Sequence, residues 1–229
     1  MARIPRGIVG DIPYHILNRA NGRQTIFKKD KDYAAFVKIL LEAKRKYPVD
    51  IFTLCLMGNH WHFSLSAKEG KDISNFMRWI THTHTQRYHA HYKTTGYGHV
   101  YQGRYKSFPI EKDNHFLQVC RYIERNPVRA KIVEKAEDWK WSSAWIREKG
   151  TKEQKKLFSP WPVEVPDGYQ EWLNTPDPEE EEKLEKIRTS IQRGRPYGSD
   201  SWIKDTVEKL GLASTLRPRG GQKKVNGGT

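Results

Sequence analysis

The sequence predicts an α+β protein built on a ferredoxin-like, split βαβ antiparallel sheet with helices. Strand-like and helix-like stretches alternate over the first 130 residues in the order βαββαβα. A turn signal at Gly58-Asn59 separates two strand-like runs and places a β-hairpin in the middle of this order. Two long segments carry apolar residues at the three- and four-residue spacing of a helix. Together these features are typical of a split βαβ sheet that carries one additional helix.

The first part of the pattern contains two strands on either side of one helix. Residues 14–18 are predicted to form a short strand. Asp30 is expected to cap a helix that runs to about Tyr47, where Pro48 ends it. The apolar run 51–57 is continuous and has the length of a strand, which is typical of a central strand buried on both faces.

The second strand of the hairpin and the helix after it have the clearest periodicity. Residues 60–66 alternate, so that Trp61, Phe63 and Leu65 share one face and His60, His62, Ser64 and Ser66 share the other. Residues 72–92 are predicted to form a long helix. Its buried face is expected to contain Ile73, Phe76, Met77, Ile80, His84, Tyr88 and His91.

A last strand and a last helix complete the predicted core. Residues 100–110 resemble a strand in which Gly103 marks a bulge or a close approach of backbone. Asp113 opens a helix that is expected to end at Asn126, because Pro127 disfavours helical geometry in the residue before it.

The chain changes character beyond residue 150, and we predict three regions. Residues 1–150 form the core, residues 151–175 form a proline-rich connector, and residues 176–229 form a helical C-terminal region. In that region, acidic residues from Glu179 onward begin one helix, and a second helix ends at Gly211. The basic tail from Gly220 is expected to be disordered.

Composition restricts the class of protein. The 229 residues carry a formal net charge of +14, and residues 1–150 account for +13 of it, with 27 Lys+Arg against 14 Asp+Glu. Nucleic acid is therefore the expected partner; the alternative is a basic surface that serves only solubility. No apolar run is long enough for a membrane span, and two cysteines cannot form a disulfide framework. We expect a cytoplasmic protein.

The spacing of the histidines favours one candidate metal site and indicates that the others have structural roles. His82, His84, His89 and His91 lie on the predicted long helix at spacings that cannot hold one small ion within that helix. His60 and His62 point to the same face of a strand, so two neutral imidazoles there could hold a divalent metal that lacks only an oxygen ligand. The alternative is a pair of solvated histidines on the polar face of the strand.

The last core helix offers a nucleophile and an oxygen ligand. Tyr122 and Asn126 are four residues apart, one helical turn along the same face. A metal on a target phosphate would compensate for the weak nucleophilicity of a tyrosine hydroxyl. The alternative is a packed tyrosine with Asn126 as a residue of the helix end.

Two segments have the composition of DNA-binding elements. Residues 98–107 interleave aromatic and basic side chains, which suits single-stranded nucleic acid; the alternative is an ordinary edge strand. Within it, Tyr101 and Tyr105 are expected to stack on bases. Arg193-Gly194-Arg195-Pro196 is similar to the core of an AT-hook, which would bind a minor groove, or else forms a structured turn between helices.

These motifs, in this order, resemble the single-tyrosine HUH transposases and, within them, the REP-associated tyrosine transposases. HUH denotes two histidines around a hydrophobic residue. The resemblance covers roughly residues 8–215. It rests on His60-Trp61-His62 after Met57-Gly58-Asn59, Gly98-His99 with Gln102-Gly103-Arg104-Tyr105, Tyr122-Ile123 with Asn126-Pro127-Val128-Arg129-Ala130, Trp141-Ser142-Ser143, and Gly194-Arg195-Pro196-Tyr197-Gly198-Ser199 leading to Trp202.

The resemblance implies an HUH endonuclease core in which His60, His62 and Asn126 bind Mg²⁺ or Mn²⁺ and Tyr122 is the nucleophile. Insertion-sequence relatives often have Gln at the position of Asn126. Such enzymes cut single-stranded DNA at folded hairpins and leave a 5′-phosphotyrosine and a free 3′-hydroxyl. The other class that remains open is a non-catalytic DNA- or RNA-binding protein derived from a transposase.

The predicted DNA-binding residues are mostly basic or aromatic and lie in the core and in the C-terminal turn. They are Arg19, Tyr101, Gln102, Arg104, Tyr105, Lys106, Arg121, Arg125, Arg129, Arg193 and Arg195. Because REP-associated relatives resemble monomers that act in cis and the chain has an appended region, we predict a monomer. The alternative is a dimer like that of the insertion-sequence relatives.

Overall fold

A four-stranded antiparallel sheet forms the centre of the molecule. The computed structural model describes residues 8–217, so the predicted disordered tail lies outside the described residues. The strands are β1 (Tyr14–Arg19), β2 (Val49–Met57), β3 (His60–Ala67) and β4 (Lys106–Pro109), in the spatial order β2-β3-β1-β4. The predicted fold class, α+β with an antiparallel sheet, is confirmed.

Helices cover the sheet and continue beyond it. They are α1 (Asp30–Lys46), α2 (Gly70–Tyr92), α3 (Asn114–Glu124), α4 (Asn126–Arg129), α5 (Ser143–Lys149), α6 (Lys152–Lys155), α7 (Tyr169–Asn174), α8 (Glu180–Arg193) and α9 (Asp200–Leu210). The order βαββαβα holds from β1 to α3. No helix within residues 8–217 is both long enough and apolar enough to cross a membrane.

The alternation of β3 divides the interior into two apolar clusters. Trp61 and Phe63 face α1 and α2, where they pack with residues such as Phe36 and Phe76. On the other face of the sheet, α3 and α8 cover a second cluster that includes Phe52, Phe108, Phe116, Ile123 and Ile187. His60 and His62 point to this second face, as period-two alternation requires. The predicted polar face of β3 is therefore covered by helix α3.

Strand β2 is buried as predicted, but it is an edge strand of the sheet and not a central one. Its free edge is covered by the chain that follows α4. The backbone amide of Leu56 donates to Trp141 O over 2.9 Å, and Ser159 N donates to Ile51 O over 2.9 Å. The Trp139 indole also donates to Leu56 O over 2.8 Å. These bonds satisfy the edge that β2 would otherwise expose.

The predicted strand 100–110 is interrupted, because only Lys106–Pro109 form a regular strand. The earlier part still pairs with the end of β1: Asn21 N donates to Val100 O and Gln102 N donates to Arg19 O, both over 2.9 Å. Between the two pairings the chain bulges, and the Asn18 side chain donates to Gly103 O. The interruption of the strand therefore includes Gly103, where the sequence predicted a bulge or a close approach of backbone.

Helix α3 ends earlier than Pro127 suggested. Arg125 leaves helical geometry with φ −85° and ψ 1°, and Asn126 then begins the short helix α4, in which Pro127 occupies the first turn. Proline lacks an amide hydrogen and is tolerated there, so the chain turns into a new helical segment. The prediction that Tyr122 and Asn126 lie on one continuous helix is wrong.

The predictions for the N-terminus of α1 and for the end of the buried face of α2 are also wrong in part. Asp30 is the first residue of α1, but it is the Asp32 carboxylate that accepts the Lys28 and Lys29 amides and closes the N-terminus. On α2, the predicted buried face holds except at His91, which is exposed next to Lys29. His91 lies near the C-terminal end of α2, beyond the last buried residue of the helix.

The C-terminal region packs on the core. The predicted connector 151–175 contains α6 and α7, and Leu157 is part of the first apolar cluster. Helix α8 contributes Ile187 to the second cluster, and Tyr197 donates its hydroxyl to Gln118 Oε1 on α3 over 2.5 Å. Gly194 ends α8 with φ +72°, so Arg193 and Arg195 flank a structured turn.

Candidate active site

Three histidines meet on the face of the sheet that α3 covers. β1 and β3 pair with Arg19 opposite His60 and Leu17 opposite His62. This register brings His15 of β1 against His62, with ring centroids 5.1 Å apart and the rings stacked. The His60 and His62 ring centroids are also 5.1 Å apart. The two predicted metal ligands therefore lie together, and His15 joins them.

Hydrogen bonds fix the orientation of both predicted ligands. His60 Nδ1 lies 2.6 Å from Asn59 Oδ1, an acceptor, so Nδ1 carries the proton and Nε2 keeps its lone pair. His62 Nδ1 lies 2.9 Å from His15 Nε2. When His62 donates in that pair, its Nε2 is likewise available to a metal.

His15 is the site residue that the sequence analysis missed. It is completely buried, and its Nδ1 has no hydrogen-bond partner within residues 8–217. Its position on β1, two residues from Leu17, became meaningful only once the pairing of β1 with β3 was known. The alternation of β1 predicts only that His15 and Leu17 share a face, and the pairing of Leu17 with His62 shows that this face carries the histidines.

Burial keeps all three imidazoles neutral. It lowers the pKa of His15 to about 3 and that of His60 to about 4, with nearby Arg19 contributing at His60. Burial also lowers the pKa of His62 well below its ordinary value, assisted by the neighbouring His15 and His60. Neutral imidazole is the form that binds metals.

Tyr122 of α3 lies directly against this group. Its ring centroid is 5.9 Å from that of His15 and 5.9 Å from that of His62, both edge-on. The Arg129 guanidinium lies 4.4 Å from the centre of the Tyr122 ring and donates to Tyr122 O. Burial raises the pKa of Tyr122, and the charges of Arg129, Arg188 and Arg19 lower it in part.

Asn126, the first residue of α4, turns its side chain back to the end of α3. Its Nδ2 donates to Tyr122 O and Ile123 O, each over 3.2 Å, and so caps the end of α3. Because the amide nitrogen makes both of these bonds, the Oδ1 oxygen, the atom a metal would use, is not engaged by them. The predicted role of Asn126 as a ligand stays a prediction.

Arg121 and Arg125 do not face open solvent, where DNA would bind. Arg121 donates to Trp172 O and Thr175 O, and Arg125 donates to Leu173 O over 2.6 Å and to the Glu180 carboxylate over 3.2 Å. Both side chains hold α7 and the start of α8 against α3. The prediction that they bind phosphates is therefore wrong in this arrangement, because their donors are engaged within the chain.

Tyr101 and Tyr105 are also misassigned as stacking residues. Both are 7% exposed and belong to the first apolar cluster. The Tyr101 hydroxyl lies 2.6 Å from His84 Nδ1 and accepts from the Trp61 indole over 3.1 Å. A base needs an open ring face, and buried rings do not offer one.

The other predicted DNA contacts lie at or near the surface. Gln102, Arg104 and Lys106 are exposed, and Arg19 is half-buried beside His60. Arg129 is mostly enclosed over Tyr122, and its Nη1 has no hydrogen-bond partner among the described residues. Arg193 and Arg195 are half-buried at the turn after α8.

A second group of ligand-type side chains lies elsewhere, at Glu111, Asp113 and His115. Their oxygens already serve the backbone. Asp113 accepts the His115 amide and caps α3, and Glu111 accepts the Ser199 amide over 2.6 Å. We assign this cluster to the joining of α3 with the turn before α9.

Comparison with known proteins identifies the family of the chain. The family model of IS200-like transposases matches residues 8–126, which are 119 of the 229 residues. The chain belongs to the IS200-like transposase family, which confirms the predicted resemblance. No curated protein sequence matches significantly.

Two solved structures are similar to this chain to different extents. A REP-associated tyrosine transposase bound to a REP hairpin is 19% identical, with a TM-score of 0.53 over 72% of this chain and 95% of that one. A Deinococcus radiodurans protein assigned as a transposase is 20% identical, with a TM-score of 0.39 over 54% of this chain and 97% of that one. The fold is thus that of the REP-associated tyrosine transposase.

Proposed function

We propose that this protein is a metal-dependent endonuclease and strand transferase that cuts single-stranded DNA at hairpins through a 5′-phosphotyrosine on Tyr122. One observation carries the proposal. His62 is buried and His60 half-buried, both are neutral, and their Nδ1 atoms are held by His15 and Asn59, which leaves both Nε2 atoms available when His62 donates to His15; the His62 ring lies against that of Tyr122. A tyrosine next to a pair of oriented imidazoles has the components of metal-assisted attack on a phosphate.

The side chains present fit a divalent metal. His60 and His62 would hold it, with Asn126 Oδ1 as the oxygen ligand, and the mixed nitrogen and oxygen set suits Mn²⁺ or Mg²⁺. When bound, the metal polarises the scissile phosphate and stabilises the charge that develops on it. Asn59 and His15 fix the imidazole orientations from behind.

The covalent step is an exchange of phosphate esters. The Tyr122 oxygen forms a bond to phosphorus, the bond from phosphorus to the 3′-oxygen of DNA breaks, and the phenol proton is transferred overall to that 3′-oxygen. The products are a 5′-phosphotyrosine and a free 3′-hydroxyl. Attack by another 3′-hydroxyl reverses the step and joins strands without an external energy source. Arg129, over the Tyr122 ring, favours the negative charge that forms on the tyrosine oxygen.

The proposed partner is hairpin DNA with single-stranded flanks. The net charge of +13 on residues 1–150 favours a polyanion, and Gln102, Arg104 and Lys106 expose polar and basic groups on the connection before β4 and at its first residue. The REP-associated relative was solved with a REP hairpin. A protein of this function works on chromosomal DNA, so its proposed location is the bacterial cytoplasm at the nucleoid.

We further propose that the protein acts as a monomer. Arg121 and Arg125 bind the α3 helix to α7 and α8 of the same chain, which favours Tyr122 serving its own site. Light scattering at micromolar concentration is expected to give the mass of one chain. A stable dimer would contradict this part of the proposal.

The test of function uses a hairpin oligonucleotide, Mn²⁺ or Mg²⁺, and a denaturing gel. We expect a covalent adduct with the wild-type protein and none with Tyr122→Phe, whose affinity for the hairpin is nearly unchanged because only the nucleophile is lost. Tyr105→Phe is the matched control and is expected to form the adduct. His60→Ala is expected to lose both metal binding and the adduct.

Two outcomes would contradict the proposal. Mass spectrometry that locates the nucleotide on another tyrosine would overturn the role of Tyr122. Hairpin binding with no adduct in either metal would favour the alternative, a non-catalytic nucleic-acid-binding protein derived from a transposase.

A further inference from the structure

The connection between α2 and β4 exposes one aromatic side chain almost completely. Tyr97 is 85% exposed. Among the large hydrophobic residues within 8–217, no other has so high an exposed fraction. Gly96 and Gly98 on either side of it have φ values of +92° and +93°, a region that side chains rarely adopt. A Cβ atom at either glycine would have no neighbour within 4 Å, so the close packing of the chain does not require these glycines. They shape a loop that presents Tyr97 to solvent.

This loop begins at the edge of the candidate active site. Three residues after Tyr97, Val100 O accepts the Asn21 amide at the end of β1, and Gln102 N donates to Arg19 O. Arg19 pairs with His60 across the sheet. Because three residues span at most about 10 Å, Tyr97 stays within about 10 Å of Val100, on the segment that pairs with the end of β1.

The charged side chains that lie near Tyr97 in the sequence are all basic. No Asp or Glu occurs between Asp72 and Glu111. Lys93 and Arg104 of the same connection and Lys106, the first residue of β4, are exposed. An open aromatic ring among exposed cations is the arrangement that binds single-stranded nucleic acid, where rings stack on bases and cations follow phosphates.

We propose that Tyr97 stacks on an unpaired base of the single-stranded DNA that flanks the hairpin, while the neighbouring cations contact its phosphates. The proposal rests on the proposed function and identifies a contact for its substrate. It also assigns to Tyr97 the stacking role that burial denies to Tyr101 and Tyr105. An exposed tyrosine loses little conformational entropy on binding, since it has two side-chain torsions.

The test compares affinities for two fluorescent DNAs by anisotropy, a hairpin with single-stranded flanks and the same hairpin with blunt ends. Tyr97→Ala is expected to weaken binding of the flanked hairpin roughly 5- to 150-fold, the effect of losing one base stack. It is expected to leave the blunt hairpin unaffected. Tyr97→Trp keeps a ring and is expected to bind like the wild type. Thr95→Ala, exposed in the same loop, is the matched control and is expected to change neither affinity.

A second measurement locates the base. With 2-aminopurine placed in turn at each flank position, the wild-type protein is expected to quench one position, and Tyr97→Ala is expected to lose that quenching. If the wild type binds the flanked hairpin and Tyr97→Ala binds it equally well, the inference is wrong and the proposed function is untouched. Equal weakening on the blunt hairpin would also overturn it, since the ring would then contact paired DNA. If the wild-type protein binds neither DNA, the proposed function itself fails.

Discussion

His15 is a buried side chain that orients the imidazole of His62 without being a proposed metal ligand itself. Its Nε2 lies 2.9 Å from His62 Nδ1, and burial lowers its pKa to about 3, so it stays a neutral hydrogen-bond partner. As an acceptor it holds the proton of His62 on Nδ1 and leaves Nε2 of His62 for a metal. Partners of this kind typically contribute 10- to 100-fold to metal affinity. His15 is therefore a positioning residue in the proposed site.

At the residue scale, we expect His15→Ala to weaken Mn²⁺ binding by about 10- to 100-fold in a calorimetric or EPR titration. His15→Gln offers a carbonyl acceptor and is expected to restore part of that affinity. His89→Ala removes a histidine of α2 that bonds Thr94 and serves as the control. Circular dichroism checks that each variant is folded. Unchanged Mn²⁺ affinity in folded His15→Ala, with affinity lost in His60→Ala, would show that His15 does not position His62.

Helix α3 has two functional sides that its sequence does not distinguish. One side presents Tyr122 to the histidines, and the other carries Arg121, Glu124 and Arg125. Glu124 is 0% exposed and accepts from Arg147 over 2.8 Å and from the Tyr169 hydroxyl over 2.8 Å. These bonds and those of the two arginines fasten α3 to α5, α7 and α8. The charged residues of α3 thus fix the position of Tyr122.

At the element scale, we expect Arg121→Ala to release α7. Arg121 donates to two backbone carbonyls at the end of α7, and the alanine variant loses both of these bonds between α3 and α7. Hydrogen exchange in residues 169–174 is expected to accelerate, while hairpin affinity falls little. Arg104→Ala is the control, because this exposed residue is expected to show the reverse, with unchanged exchange and a salt dependence of binding reduced by about one charge. Weaker DNA binding by Arg121→Ala with unchanged exchange would restore the phosphate-binding interpretation.

For the whole molecule, buried histidines couple stability to pH. His84 is 5% exposed in the first apolar cluster, and burial lowers its pKa to about 4. The unfolded chain takes up a proton at this residue below its ordinary pKa of about 6.5, and the folded chain does not until about 4. The stability associated with neutral His84 is therefore present above pH 6.5 and is lost as the pH falls toward 4.

At the scale of the whole molecule, we expect His84→Gln to flatten the pH dependence of stability. Between pH 6 and 5, unfolding of the variant takes up one proton fewer than unfolding of the wild type. The slope of the free energy of unfolding against pH is therefore smaller by about 1.4 kcal/mol per pH unit. Urea unfolding at several pH values measures this slope, and His82→Gln, an exposed position on the same helix, is the control. Equal slopes in the wild type and His84→Gln would mean that His84 is already protonated in the folded protein at these pH values.

The sequence by itself determined the order of the core elements and the faces of β3. Helical and strand periodicities are local, and they placed His60 and His62 on one face with Trp61 on the other. The motifs also identified Tyr122 and the family. Local rules failed at helix ends, since Pro127 was accommodated in the first turn of α4.

The tertiary structure decided everything that depends on which segments meet. Strand pairing brought His15 to His62, and the chain after α4 covered the edge of β2. Burial against α1 and α2 removed Tyr101 from the candidate DNA surface, and α7 engaged Arg121. The physical reason is that these contacts join residues 40 to 108 positions apart in the chain, and no local pattern encodes the partner of an aromatic or basic side chain.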